Sequence, residues 1–398
     1  MRKTCLVVVG IFLHFFSGFA QSSTDSGYES RKLKLEEVNL VSSYYHQEGN
    51  NSAVTGGIGT EKLTDFANVI DVKLSKYDRK YRKHTFTLEA GVDAYSSASS
   101  DMVDLKANSS ASSSDIRFYP SVNWTVENEN KGTTVGFNAS SSFEFDYTSF
   151  GIGASFGKKS KDNNRELNLK AQAFFDQVSL VTPTELRPGG GARRDEDDYA
   201  SSARNSYSGS VSVSQIINKR LQLMVIMDLI KQQGLLSLPF HRVYFNNNSM
   251  LAEKLPSSRL KIPLGFRANY FLGDHIILRA FYRYYQDDWG LKAHTIDMET
   301  ALKINPFISV TPFYRYYDQT AVDYFAPYKT HAVTAAFFTS NYDLSKFNSS
   351  FFGTGVRLTP PNGVFGSSHF NMLELRYGHY SRTNGLNSNI ISLHLKFK

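Results

Sequence analysis

The side chains best placed to form a charged site lie in a motif that occurs twice in the chain. The first copy, residues 281–287, is Phe-Tyr-Arg-Tyr-Tyr-Gln-Asp, and the second copy, residues 313–319, is Phe-Tyr-Arg-Tyr-Tyr-Asp-Gln. Successive side chains of a β-strand point to opposite faces, so the arginine and the tyrosine two positions after it share one face. The tyrosines on either side of the arginine share the other face. Arginines and carboxylates on one face can pair with each other or attract charged solutes.

The sequence between the two copies predicts which charges meet. With a bend centred near Asp288-Trp289, antiparallel pairing places Arg279 opposite Glu299 and Phe281 opposite Asp297. The arginine of the first copy then becomes the diagonal neighbour of Asp297, and the arginine of the second copy approaches from the next strand. We therefore predict an ion-pair cluster in the interior of the fold, made of Arg279, Arg283, Asp297, Glu299 and Arg315.

Other patterns that could carry chemistry are weak. Residues 153–157 match the Gly-x-Ser-x-Gly pattern of hydrolases, but the serine of that pattern must precede a helix, and here the charged turn 158–164 follows Ser155. The histidines are scattered, without the His-x-x-His spacing of metal sites. The acidic run 195–198 follows two arginines, which favours a self-paired charge run over a calcium site. We therefore expect no catalytic, cofactor-binding or metal-binding residues, no cofactor and no enzyme activity.

The N-terminus has the pattern of an export signal. Arg2 and Lys3 precede the apolar run 6–16, and small residues lead to a cleavage site after Ala20. The single cysteine, Cys5, lies inside this signal, which leaves no cysteine for disulfides or metal sites. We expect three segments, namely a signal peptide over 1–20, a flexible lead over 21–34 and a single β-barrel domain over 35–398.

The remainder of the chain is a series of strand-like runs, many of about 10 to 14 residues, which suits tilted membrane strands. The clearest alternation of apolar and polar residues spans 260–270. Short turns alternate with long loops, as in outer-membrane barrels, and of roughly seventeen runs the weakest is 333–339. We predict an all-β fold, a transmembrane outer-membrane β-barrel of about 16 antiparallel strands, with 14 or 18 as alternatives.

The last run indicates where the protein resides. Ile391, Leu393, Leu395 and Phe397 share one face, similar to the C-terminal assembly signal of outer-membrane barrels, although Lys398 follows the final aromatic residue. We expect the protein in the outer membrane of a Gram-negative bacterium, with outer-membrane lipid as the partner of its apolar face. Lysines and arginines are spread along the chain rather than clustered, so nucleic acid is not an expected partner.

Several segments resemble an uncharacterised family of bacterial outer-membrane β-barrels: 282–290 with 293–295, 117–122, 144–147 and 204–205. The resemblance covers most of the mature chain. It implies the fold and the location but no activity. Members of the family are often encoded beside a small lipoprotein, a thioredoxin-like protein and a flavin transferase. The resemblance therefore implies a small lipoprotein, or a redox or flavin protein, as a partner.

Three functions follow from this sequence. A pore or transport channel with a lumen lined by arginine, tyrosine and acidic residues is the first, because about sixteen strands can enclose an aqueous channel. The same lumen charges could instead serve the structure alone by pairing across strands. The second function, which the family resemblance alone implies, is a scaffold or conduit partner of a periplasmic redox or flavinylation system. The third, an outer-membrane hydrolase, rests on Ser155 alone.

Overall fold

The fold is almost wholly β, in a computed structural model that describes residues 32–96, 114–186 and 200–398. The predicted signal peptide, most of the predicted lead and the acidic run 195–198 lie outside these residues. The first strand begins at Lys34, the last residue of the predicted lead.

Sixteen antiparallel strands form a closed barrel, and two short strands form a separate sheet in one loop. The barrel closes because the first strand of the chain pairs with the last strand as well as with the second. The weak run 333–339 is not a strand, and without it the predicted count of sixteen is confirmed. The barrel strands are β1 Lys34–Glu48, β2 Leu63–Tyr77, β3 Lys83–Ser96, β4 Ser114–Asn128, β5 Thr133–Phe143, β6 Tyr147–Lys159, β7 Arg165–Ser179, β8 Ser201–Asn218, β9 Leu221–Gly234, β12 Ser258–Leu272, β13 Ile276–Asp287, β14 Lys292–Asn305, β15 Ile308–Gln319, β16 Phe347–Leu358, β17 Phe370–Arg382 and β18 Asn387–Phe397, and the separate sheet is β10 Arg242–Tyr244 with β11 Met250–Ala252.

The outer face of the barrel is apolar because each strand alternates apolar and polar residues. Phe118, Phe137 and Leu264, all predicted to face outward, are 44%, 51% and 43% exposed. Leu393 is less exposed but shares its face with Ile391, which is 47% exposed. Apolar side chains this exposed around a closed barrel form the lipid-facing surface expected of a membrane barrel.

Tyrosines on the outer face form an arc near one end of the barrel. Tyr44, Tyr282, Tyr314 and Tyr377 are exposed, and each lies four or five residues before the end of its strand. The hydroxyl groups of Tyr282, Tyr314 and Tyr377 have polar partners on the wall, such as Nδ1 of His294 at 2.8 Å from the Tyr282 oxygen. Tyrosine girdles of this kind mark the interface between hydrocarbon and water in membrane barrels.

The connections differ between the two ends of the barrel. At one end, called the short-turn end, most are brief, such as 78–82, 219–220 and 306–307. The other end, called the long-loop end, carries the longest connections, 235–257 and 320–346. The predicted alternation is confirmed in outline, although 144–146 and 288–291 at the long-loop end are also short.

The buried apolar residues lie mainly at the long-loop end rather than within the wall. Three clusters centre on Val54, Trp289 and Val243, and most of their members belong to loops. A barrel with lipid outside and a polar lumen inside has no apolar core between layers. Its buried apolar clusters are therefore formed by the loops. Short 3-10 helices such as Ala53–Thr55 and Tyr342–Leu344 shape these loops. Among the described residues, no helix has the length and apolar character needed to cross a membrane.

Candidate functional site in the lumen

The two copies of the motif lie on β13 and β15, on either side of β14, and their arginines, Arg283 and Arg315, face the lumen. The hairpin of β13 and β14 has the predicted register, with Arg279 opposite Glu299 and Phe281 opposite Asp297. The tight bend after Asp287 sets this register, since the Asp287 carboxylate accepts hydrogen bonds from the N–H groups of Trp289 and Leu291. A local turn therefore determines which charges meet in the lumen.

Glu299 is the centre of an ion-pair network that spans several strands. Its carboxylate lies 2.5 Å from Nη1 of Arg279 and 3.1 Å from Nη2 of Arg376 on β17. Arg376 also approaches Glu374 at 3.7 Å, and Glu374 lies 2.7 Å from Arg357 on β16. Because β14 and β17 are three places apart in the wall, Arg376 reaches Glu299 across the concave inner surface.

The structure corrects the predicted cluster at Arg283. Asp297 pairs with Arg315, at 2.7 Å, and not with Arg283. The physical reason is the register, since Arg315 lies directly opposite Asp297 while Arg283 lies opposite Thr295 and is only diagonal to Asp297. Arg283 has no ion pair with any described residue. Four of the five predicted residues are thus ion-paired, and the fifth remains a free charge in the lumen.

An acidic wall lies on β2 and β3, apart from the arginine-rich wall, which comprises β13, β15, β16 and β17. Asp65 and Glu89 point inward from β2 and β3, as does Asp93, which accepts a 2.8 Å hydrogen bond from the Tyr119 hydroxyl. Around the barrel, β3 is eight places from β13 but β2 is three places from β17, so only the β13 part of the arginine-rich wall is opposite the acidic wall. No sequence signal marks this arrangement, because acids scattered between residues 65 and 93 form no motif. Opposed charges of this kind can orient a dipolar or charged solute as it passes.

The wall between these two regions carries small polar side chains. Gly151, Gly153 and Ser155 point inward from β6, and Ser208 and Ser210 point inward from β8. Small side chains leave space for water and solute in the lumen. Ser155 pairs with Gly136 and Lys170 in the middle of β6. The strand continues to Lys159, so Ser155 does not occupy the strand-to-helix elbow of a hydrolase.

The loops at the long-loop end pack together into a compact layer. Val54, Val181 and Phe240 share one apolar cluster although they belong to three different connections. A second cluster, with Trp289 and Val322, joins two further connections. We call this layer the cap and define it as the described residues of the long-loop connections, which are 49–62, 144–146, 180–186, 235–257, 288–291, 320–346 and 383–386.

The cap extends across the lumen. Arg242 lies between β9 and β12, and its Nη1 donates a 2.8 Å hydrogen bond to the main-chain oxygen of Val54, which lies between β1 and β2. These two strand pairs are eight places apart in a barrel of sixteen strands. Nε of the same arginine also lies 2.5 Å from Glu185. A contact between opposite sides must cross the mouth of the barrel, so the cap covers part of this mouth.

A buried acid joins two loops of the cap. The carboxylate of Glu253 accepts hydrogen bonds from the hydroxyl of Thr339 at 2.5 Å and the N–H of Leu238 at 2.9 Å, and it lies 3.5 Å from Nδ1 of His241. Burial alone would raise the pKa of Glu253, but the charge of His241 and these hydrogen bonds lower the pKa below its ordinary value. Burial also lowers the pKa of His331, whose Nε2 lies 3.0 Å from the Thr339 oxygen.

One group of carboxylates could hold a metal ion. One ligand oxygen each of Asp115, Glu144 and Asp146 lies within 4.8 Å of the others at the long-loop end. Asp115 is 3% exposed, and its Oδ2 has no hydrogen-bond partner. Glu144, however, also accepts a 2.7 Å hydrogen bond from the Tyr95 hydroxyl. No metal-binding residues were expected from the sequence. This group has no sequence signature, because its members come from two segments that only the pairing of β4 with β5 and the adjoining loop bring together.

Comparisons with known proteins give a family and distant structural likenesses. The model of a family described as protein of unknown function (DUF3570) matches residues 79–384. No curated protein matches the chain.

Among solved structures, the siderophore receptor PirA from Acinetobacter baumannii has a TM-score of 0.47 at 12% identity over 86% of this chain. A BenF-like porin from Pseudomonas fluorescens Pf-5 has a TM-score of 0.45 at 8% identity over 91% of this chain. OccAB3 from Acinetobacter baumannii has a TM-score of 0.44 at 10% identity over 92%. The chain spans about half of the receptor, 53%, but 98% and 99% of the other two proteins.

Proposed function

The chain belongs to the family described as protein of unknown function (DUF3570), and we propose that it is an outer-membrane channel for small polar solutes. The observation that carries the proposal is a closed barrel of sixteen strands with an apolar exterior and a charged interior. Closure pairs the backbone polar groups of every strand with neighbours on both sides, as a hydrocarbon environment requires. Membrane barrels of this size leave an aqueous channel.

The outer membrane of a Gram-negative bacterium is the location that this surface fits. Exposed apolar residues such as Phe150 and Val225, 55% and 56% exposed, would be unfavourable in water but suit lipid. The arc of outer tyrosines near the long-loop end fits a membrane interface. In bacterial barrels the long loops face the exterior, so the cap would meet solutes that arrive from outside the cell.

The lumen and the cap together suggest selectivity rather than free diffusion. The arginine-rich wall and the acidic wall would act on charged solutes, and the small-residue wall would leave room for them. The contact between Arg242 and Val54 narrows the entrance. We infer that the channel admits small hydrophilic molecules and excludes large ones.

The direct test is conduction by the pure protein. The full chain would be expressed, recovered from the outer-membrane fraction and checked for heat-modifiable migration on gels. Reconstituted into liposomes, it should permit swelling with small sugars and amino acids but not with oligosaccharides, and the heat-unfolded protein should not. Recovery as a soluble periplasmic protein would contradict the location. A folded barrel that admits no small solute and carries no current in a planar bilayer would contradict the channel.

The role as a scaffold or conduit partner of a periplasmic redox or flavinylation system stays a prediction from the family resemblance. The described parts of the chain present no feature specific to such a partner. A small lipoprotein or flavoprotein that is recovered with the detergent-solubilised barrel would support this role. The hydrolase alternative requires Ser155 at an elbow, and the position of Ser155 within β6 argues against it.

A further inference from the structure

We propose that a cavity in the lumen, close to the cap, binds a small planar carboxylate such as an aromatic acid, and that Arg283 holds its charge. The cavity has a volume of about 510 Å³, within the range of small-molecule sites. This inference deepens the proposed function, because it names a class of solute for the channel, and its role in passage rests on that function. Binding itself does not require conduction.

Arg283 differs from the other two arginines that line the cavity. Arg315 is paired with Asp297, and Arg382 is paired with Asp343. Arg283, in contrast, makes no ion pair, hydrogen bond or ring contact with any residue in the described ranges. It is also exposed to the lumen. A guanidinium left free and accessible in a cavity is a ready partner for an anion.

The cavity offers flat surfaces around this charge. Tyr317 and Phe347 have ring centroids 5.7 Å apart, and Phe351 and Tyr380 have ring centroids 6.3 Å apart. Arg382 lies over the Phe347 ring at 4.6 Å and Phe347 is buried, so the rings left partly exposed are those of Tyr317, Phe351 and Tyr380. A ligand with a flat apolar body could pack against these rings.

The balance of charge selects the class of ligand. The cavity is lined by Arg283, Arg315, Arg382 and Asp343, and the last three are satisfied by the pairs given above. The uncompensated charge is that of Arg283, which matches a monoanion. The planar fork of a guanidinium fits a carboxylate with two parallel hydrogen bonds. An aromatic monocarboxylate satisfies both the charge and the flat surfaces, whereas an inorganic anion would use only the charge.

The test is a binding measurement on the folded full-length barrel in detergent. The probe is 4-fluorobenzoate, followed by the broadening of its fluorine NMR signal, with 4-fluorobenzamide as the neutral control. The expected result is saturable binding of the acid and none of the amide. Arg283→Gln should weaken binding by about tenfold or more, as expected for loss of a charge-assisted contact. Arg283→Lys should retain part of the affinity.

Lys170→Gln supplies the matched control, because Lys170 is another exposed inward-facing cation without an ion pair among the described residues, on the small-residue wall. It should change affinity less than twofold. Equal losses in the Arg283 and Lys170 variants would overturn the site, since they would indicate a general field effect. Displacement of the probe by phosphate at lower concentration than by benzoate would overturn the ligand class.

The outcomes for the site and for the channel can be separated. Saturable binding that depends on Arg283, in a barrel that does not conduct, would support the binding site and contradict the channel. Conduction without saturable binding of the acid would support the channel and contradict the binding site.

Discussion

Arg242 donates a 2.8 Å hydrogen bond to the main-chain oxygen of Val54, although the loops that carry these residues leave the barrel from opposite sides. Arg242 is 4% exposed, and its Nε also pairs with Glu185. The cap is therefore held together across the lumen by a buried charged residue. Truncation of such a residue leaves the Val54 oxygen and the Glu185 carboxylate without this partner.

Arg242→Ala should open the cap. Loss of these contacts is expected to cost about 1–3 kcal/mol of cap stability. Liposome swelling with larger sugars should become faster, and limited proteolysis should cut within 235–257, while the barrel should keep its heat-modifiable migration. Arg220→Ala, in the exposed turn between β8 and β9, serves as the control and should behave as wild type. Unchanged swelling and proteolysis in the Arg242 variant would mean that the cap does not depend on this contact.

Glu299→Gln should make the channel more selective for anions. The substitution removes the carboxylate shared by Arg279 and Arg376 and leaves one more net positive charge in the lumen. The reversal potential in a salt gradient should shift toward the anion value. Because Arg279 is 48% exposed to the lumen, the loss of stability should remain about 1 kcal/mol or less. Asp162→Asn, in the turn 160–164 at the short-turn end, should shift the potential far less. A reversal potential that does not move would show that ions do not pass this network.

An arginine on the outer face should destabilise the barrel, and an arginine on the inner face should not. Phe137 lies near the middle of β5 and is 51% exposed on the outside, so Phe137→Arg should cost roughly 2–4 kcal/mol in lipid. Ser140→Arg places the same side chain on the lumen face of the same strand and should be tolerated. Urea titration of the barrel folded into vesicles measures both. Equal losses of stability in the two variants would contradict the assignment of the outer and inner faces.

Acid should loosen the cap in two steps. Burial lowers the folded pKa of His331 below its ordinary value of 6.5, so the unfolded state binds more protons and stability falls as pH drops below that value. The pKa of Glu253 is also lowered, from 4.5, so its contribution is complete above that value and is lost as pH falls through the folded pKa. Limited proteolysis of the cap with an acid-active protease, at points between pH 7 and pH 3, should show both losses.

The second step depends on the negative charge of Glu253. Glu253→Gln should loosen the cap already at pH 7 and remove the step below pH 4.5, because the amide can no longer pair with His241. Glu129→Gln, in the exposed turn after β4, should leave the profile unchanged. A cap whose proteolysis does not vary with pH would contradict both assignments.

The sequence by itself determined the features that depend on local geometry. Alternation along each strand decides which face is apolar, so the sequence alone predicts that Phe118 and Leu264 lie on the outer face of the barrel. The bend after Asp287 fixes the hairpin register, so the pairing of Arg279 with Glu299 could be predicted as well. Both relationships connect residues that are close in the chain or belong to one strand.

Only the tertiary structure decided the relationships that depend on closure and curvature. Arg376 reaches Glu299 because the wall curves, and Arg242 meets Val54 because the barrel closes into a ring. Arg283 has no ion pair with a described residue because Arg315, on β15, pairs with the carboxylate of Asp297. These contacts join residues far apart in sequence, where no periodic pattern operates. Strand alternation specifies the face of each residue, but the position of that face around a closed ring is set by the pairing of all sixteen strands.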